Sequence, residues 1–194
     1  MTTALDARKG IVKGSLTDIA AQHGHSLAQT FVNAEVVILI DTSGSMGTYD
    51  SRGGRTRYDV ACEELTALQG NLPGKIAVLS FSDQTMFCPD GKPFNQGAST
   101  DLAGALKFAH VADVPGIRFI VISDGEPNEA NAALREAVQY RNRIDVIYVG
   151  PEALPAGREF LTKLAAASGG QVVTADRAQN LLAVTAKLLL EAHP

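Results

Sequence analysis

Five oxygen-bearing side chains stand out by type and order: Asp41, Ser43, Ser45, Thr100 and Asp124. The first three alternate with Thr42 and Gly44 at the end of an apolar run, Val36 to Ile40. Thr100 ends the segment FNQGAST, and Asp124 lies in Ser123-Asp124-Gly125, after another apolar run. Carboxylates and hydroxyls are hard donors, so the chemistry they could share is binding of Mg2+ or Mn2+ rather than zinc. A carboxylate at the end of a buried strand is costly without such compensation. Taken singly, each residue has a plainer explanation. Asp41 and the serines could tie a turn, Thr100 could cap a helix, and Asp124-Gly125 is an ordinary turn pair. Acting together requires that three loops meet.

The elements predicted around these residues allow that. Val36–Ile40, Ile76–Phe81, Ile117–Ile122 (broken only by Arg118) and Ile144–Val149 are nearly continuous apolar runs. Such runs mark strands buried on both faces of a parallel sheet. Thr85–Phe87 predicts a short edge strand and Val172-Val173 another short strand. Helical spacing links Tyr58, Cys62, Leu65 and Leu68, ending near Gly70; Leu102, Ala105, Leu106 and Ala109, starting just after Thr100; and Leu134, Ala137 and Val138. Phe160, Leu161, Leu164 and Ala165 mark a further helix, closed by Gly169-Gly170. Asp176 and Gln179 suggest a capping pair for a last helix bearing Leu181, Leu182, Leu188 and Leu189. Upstream, Leu16, Ile19, Ala20, His23 and Leu27, interrupted by Gly24, predict one helix or two short ones ending before Asn33. We expect Leu16, Ile19 and Leu27 to pack against the sheet layer. His23 and His25, two apart, share no helix face and are read as surface or packing residues. Strands alternating with helices define the expected fold: an α/β, doubly wound, Rossmann-like three-layer sandwich, mostly parallel, with one short antiparallel edge strand. In such sheets ligands gather beyond the carboxyl ends of the strands.

Composition narrows the function. A chain of 194 residues can bury one sizeable core, and we divide it into a helical N-terminal extension, 1–34, and a main domain, 35–194. A net charge of −4 without a dense basic patch argues against nucleic acid as a partner. Two cysteines, Cys62 and Cys88, are too few for a disulfide framework and fit a reducing compartment. The start, MTTALDARKG, lacks the apolar core of a signal peptide, and no run approaches ~18 apolar residues. A cytoplasmic protein without membrane partners is the expectation.

Taken together, Asp41-x-Ser43-x-Ser45, Thr100 and Asp124 resemble the metal-ion-dependent adhesion site of von Willebrand factor A (vWA) domains, with every motif position filled. The similarity spans roughly Glu35 to Leu190. It implies a stand-alone, metal-dependent protein-interaction module rather than an enzyme. In that family the serines and the threonine bind the ion directly, the threonine in a ligand-dependent way, and the aspartates act directly or through water. Carried over, Ser43, Ser45 and Thr100 would hold Mg2+ or Mn2+, with Asp41 and Asp124 bracing the ion and its waters. Neutral hydroxyls leave the cation attractive to a carboxylate, and a Glu or Asp from a protein partner would complete its octahedron. The resemblance implies AAA+ ATPases or multi-protein stress-response assemblies as partner classes. Asp101 and Glu126 could add negative charge near the ion, and Asp50, Arg52, Arg55 and Arg57 could form a rim that reads the partner, or only a solvated loop. Two other functions compete. One is a scaffold whose ion is structural; the other is a Mg2+-dependent phosphatase of the haloacid-dehalogenase type. The latter needs an aspartate where Ser43 stands. An aspartic protease needs Asp-Thr-Gly and an all-β chain, and this sequence has neither.

Overall fold

Every position of β1 (Val36–Asp41), β2 (Ile76–Phe81) and β5 (Ile144–Tyr148) is buried, as is all of β4 (Arg118–Ser123) beyond its first residue. Unbroken apolar runs produce this only where helices cover both sheet faces. The computed structural model describes residues 10–190 apart from Gln96, Glu126 and Leu154, so the charge considered at Glu126 lies outside the described residues. With β3 (Thr85–Phe87) and β6 (Val172–Thr174), the strands form one six-stranded sheet in the order β3-β2-β1-β4-β5-β6. Among the described residues, only the β2–β3 pair is antiparallel. The expected doubly wound sandwich with an antiparallel edge strand is the observed fold.

The helices are α1 (Leu16–His23), α2 (Leu27–Phe31), α3 (Arg57–Asn71), α4 (Leu102–Ala109), α5 (Ala130–Ala137), α6 (Pro155–Ala167) and α7 (Leu181–Leu190). Alternation along β1 divides the core. Val37 and Leu39 join Leu106 of α4, Ala133 of α5 and Leu161 of α6, while Ile38 and Ile40 join Leu65 of α3 and Leu181 of α7. β2 and β3 lie to one side of β1, and β4 to β6 lie to the other. The crevice beyond the carboxyl ends of β1 and β4 is therefore the switch point at which doubly wound sheets bind ligands.

Several sequence expectations shift by local amounts. The upstream segment is two helices, split at Gly24, whose φ of 65° provides the left-handed stop. Leu16 enters the core, Leu27 packs against it, and Ile19 lies against Gly74. The exposed rings of His23 and His25 stack with centroids 5.7 Å apart. β4 runs one residue later than expected because Ser123 keeps its place in the ladder, opposite Tyr148. Val138 falls beyond the last turn of α5 and is 65% exposed. Asp176 and Gln179 do not cap α7. Asp176 instead accepts from the Glu152 backbone N–H (3.2 Å) and the Arg177 guanidinium (2.9 Å), in a 3-10 turn where Arg177 and Ala178 take positive φ. The N–H of Leu182 is capped by Glu64 Oε2 of α3, at 2.9 Å. Cys62 and Cys88 are free thiols. Among the described residues, no helix is long and apolar enough to cross a membrane.

Candidate metal centre

β1 delivers Asp41 to the switch point as its last residue. The chain then turns at once: the Ser43 backbone N–H donates to Asp41 Oδ1 (2.8 Å), and a 3-10 turn, Gly44–Gly47, follows. That turn sets the Ser43 and Ser45 hydroxyls 3.1 Å apart. β4 ends beside it, where the Ser123 hydroxyl donates to Asp41 Oδ2 at 2.6 Å. Asp124 comes next, its Oδ1 accepting from the Ser45 hydroxyl at 2.8 Å. Asp41, Ser43, Ser45 and Asp124 thus form one hydrogen-bonded group across two loops.

Thr100 reaches this group through its loop rather than through its hydroxyl. The Gly44 N–H donates to Ala98 O (3.2 Å), and the Gly97 N–H donates to Thr42 O (2.9 Å). A Cβ on Gly44 would lie only 3.2 Å from Gly97 O, so glycine there lets the loops close up. Ser82 anchors the other side, its hydroxyl donating to Ser99 O at 2.8 Å. The Thr100 backbone meets the third loop, exchanging hydrogen bonds with the Asn128 side chain (3.4 Å) and backbone (3.1 Å). Three loops do converge. The cap of α4 is Asp101, not Thr100: its Oδ1 accepts from the Gly104 N–H at 2.9 Å, which engages the carboxylate considered for the ion.

The electrostatics centre on two buried carboxylates. Asp41 is 1% exposed, and burial raises its pKa to about 6; hydrogen bonds from Ser123 and Ser43 offset only part of the rise, to which the Asp124 charge adds. Asp124 has a full positive charge beside it. Arg57 Nη1 donates to Asp124 Oδ2 at 2.7 Å, while its Nε and Nη2 grip Asp50 at 2.9 and 2.7 Å. The hydrogen bond to Asp50, and then that to Asp124, raise the Arg57 pKa, and Arg57 in turn holds the Asp50 carboxyl below its usual range. Arg57 is only 7% exposed, so it belongs to the interior of the site and not to a rim. The reason is its place as the first residue of α3, directly after the Thr56 cap, where the helix start faces the Asp124 loop. Arg52 and Arg55 instead pair with Glu63 and Glu64 at the surface.

Sequence reasoning missed two contributors, Ser123 and the inward role of Arg57. A lone hydroxyl closing a buried apolar strand was the available signal for Ser123. For Arg57, local spacing held none, because its partner comes from a distant strand end. Among the described residues, no three His, Cys, Asp or Glu side chains cluster as a metal-binding group. The donors gathered here are two carboxylates and neighbouring hydroxyls, with a buried Asp41 whose partners are all neutral donors. That set fits a hard divalent cation such as Mg2+ or Mn2+ and not the Cys- and His-rich shells of zinc.

Sheet order and layering define the class: the fold is that of vWA-type domains. BatB from Bacteroides thetaiotaomicron matches with a TM-score of 0.61 at 18% identity, over 81% of this chain and 98% of its own. The VWA domain of SpRpn10 matches with a TM-score of 0.53 at 14% identity, over 81% and 94%. The manganese-loaded TRAP protein of Plasmodium vivax matches with a TM-score of 0.54 at 17% identity, over 81% and 73%. No family model matches the sequence, and neither does any curated protein. At these identities the likeness is one of fold.

Proposed function

We propose that this chain is a metal-dependent protein-interaction module. Ser43, Ser45 and Thr100 would hold Mg2+ or Mn2+, with Asp41 and Asp124 bracing it, and the ion would capture a Glu or Asp from a partner protein. The observation that carries the reading is the single hydrogen-bonded group formed by Asp41, Ser43, Ser45 and Asp124 at the switch point of the sheet. When bound, the ion supplies an electrophile for a carboxylate; the residues supply orientation and few negative charges. A binding role is favoured over a purely structural ion because protein hydrogen bonds already knit the three loops together. A binding role is also favoured over a phosphatase, since Ser43 stands where a second acid would be needed. AAA+ ATPases and stress-response assemblies remain the partner classes implied by the resemblance.

The test is capture from lysate by wild type and Asp41→Ala, each with Mg2+ and with EDTA. The reading expects a partner held only by wild type with Mg2+. Identical captures in all four arms would sink it.

A further inference from the structure

Calcium and magnesium ask different things of a protein. Ca2+ takes six to eight oxygens and favours carboxylates that bind through both oxygens, whereas Mg2+ keeps an octahedron rich in water. Which oxygens a site leaves open therefore bears on which ion it takes.

Here very few are open. Asp41 and Asp124 bring four carboxylate oxygens, and donors other than the candidate hydroxyls engage three of them. Asp41 Oδ1 accepts the Ser43 N–H at 2.8 Å, Asp41 Oδ2 accepts the Ser123 hydroxyl at 2.6 Å, and Asp124 Oδ2 accepts Arg57 Nη1 at 2.7 Å. Asp124 Oδ1 is the fourth, and it accepts from the candidate hydroxyl of Ser45 at 2.8 Å, while the Ser43 hydroxyl also bears on Asp41. Arg57 cannot easily let go. Its fork is fixed by Asp50 through two further bonds, and its side chain is 8% exposed. A buried guanidinium beside Oδ2 also repels a cation that approaches that oxygen.

Resting on the metal-centre reading above, we propose that Arg57 and Ser123 are the specificity-determining residues of the centre. By holding the outer oxygens of Asp124 and Asp41, they deny Ca2+ the two-oxygen carboxylate ligands it favours and leave a hydroxyl- and water-rich site for Mg2+ or Mn2+. Both act through the aspartates and touch no ion themselves.

The test is calorimetric titration of the full chain with Mn2+ and with Ca2+, for wild type, Ser123→Ala and Arg57→Lys. Lysine keeps the charge but loses the planar fork, so it cannot serve Asp50 and Asp124 together. Ser123→Ala, a small deletion on a different strand, keeps the proposal testable should Arg57→Lys fail to fold. Wild type should bind Mn2+ and hold Ca2+ at least about tenfold more weakly, and each folded variant should lower that preference by about tenfold, the size of effect seen when an outer partner of a metal ligand is lost. A merely structural role would weaken both ions alike and leave the ratio unchanged. Folded variants that keep the wild-type ratio within about twofold would overturn the proposal while leaving the metal centre standing. A wild type without preference for Mn2+ would overturn it as well. A wild type that binds neither ion would remove the metal-centre reading and this proposal with it.

Discussion

Asp41 carries a charge that burial makes costly. Raising its pKa from 3.8 to about 6 by burial amounts to roughly 3 kcal/mol of unfavourable ionisation at pH 7. Replacement by Asn removes the charge but keeps the bonds: the amide oxygen can accept the Ser43 N–H, and the amide nitrogen can donate to the Ser123 hydroxyl. Asp41→Asn should therefore melt higher than wild type in EDTA, by about 1–3 kcal/mol of stability, yet lose Mn2+ affinity by at least about 100-fold. Thermal melts with and without Mn2+ check both halves, because only a chain that binds the ion gains stability from it. A variant that melts lower than wild type in EDTA would mean that the Asp41 charge is already compensated in the fold. The order of Asp41, Ser43, Ser45, Thr100 and Asp124 was legible in the sequence because spacing and residue type suffice to mark candidate donors. Arg57 and Ser123 were not legible in those roles, since Ser123 meets Asp41 only once β1 and β4 lie side by side, and Arg57 meets Asp124 only once the start of α3 faces the end of β4.

Strands were easier to read than helix ends. A buried parallel strand is a continuous apolar run, so β1, β2, β4 and β5 fall on or within one residue of expectation, whereas a helix start depends on whichever acceptor reaches it. For α7 the local candidates, Asp176 and Gln179, lose to Glu64, which arrives from α3. Glu64→Ala should cost about 1 kcal/mol, as loss of a helix cap does, and should speed amide exchange in the first turn of α7. The ion pair of Glu64 with Arg52 lies near the surface and adds little to that. Glu64→Gln keeps an acceptor and should behave nearly as wild type; equal exchange in all three proteins would rule out the cap. A second tie, between the end of α4 and the entry to β5, is sensitive to pH. Burial alone would raise the Asp113 carboxyl, but the Arg141 and Asn142 backbone N–H groups, the Asn142 amide and His110 together hold it below its usual range. A depressed folded pKa gives stability that is fully present above the unfolded value, near pH 4, and is lost as pH falls through the lower folded value. Asp113→Ala should be less stable than wild type by about 1–3 kcal/mol at pH 7, with the gap closing as the pH falls below about 4. Parallel denaturation curves with a constant gap at every pH would assign the loss to packing instead.

The doubly wound fold was legible because strands and helices alternate and because Gly and Pro punctuate the chain between them. How the chain upstream of β1 joins that fold was harder to see, since two short helices with one apolar stripe can cover a sheet or stand apart. The structure shows them seated. Leu16 is 1% exposed and shares its core with Leu79, Phe81 and Leu102. The backbone is stitched on both sides: the Val12 N–H donates to Asp90 O (2.8 Å), the Thr17 N–H to Pro89 O (3.0 Å), and the Gly74 N–H to Gly14 O (2.8 Å). Gly14 also has a steric reason to be glycine. Its φ is +82°, and a Cβ there would stand 2.2 Å from Gln69 O at the end of α3. A segment held by a fully buried leucine and by backbone bonds to two separate loops should unfold with the sheet rather than before it. Leu16→Ala removes that anchor and should cost about 2–5 kcal/mol. For a chain of this length each kcal/mol lowers the melting temperature by roughly 2–4 °C, so the fall should be plain in calorimetry and the transition should remain single. Two resolved transitions in the wild type, with the variant altering only the lower one, would mean that α1 and α2 fold as a separate unit. An unchanged melt would mean that Leu16 is not part of the core at all.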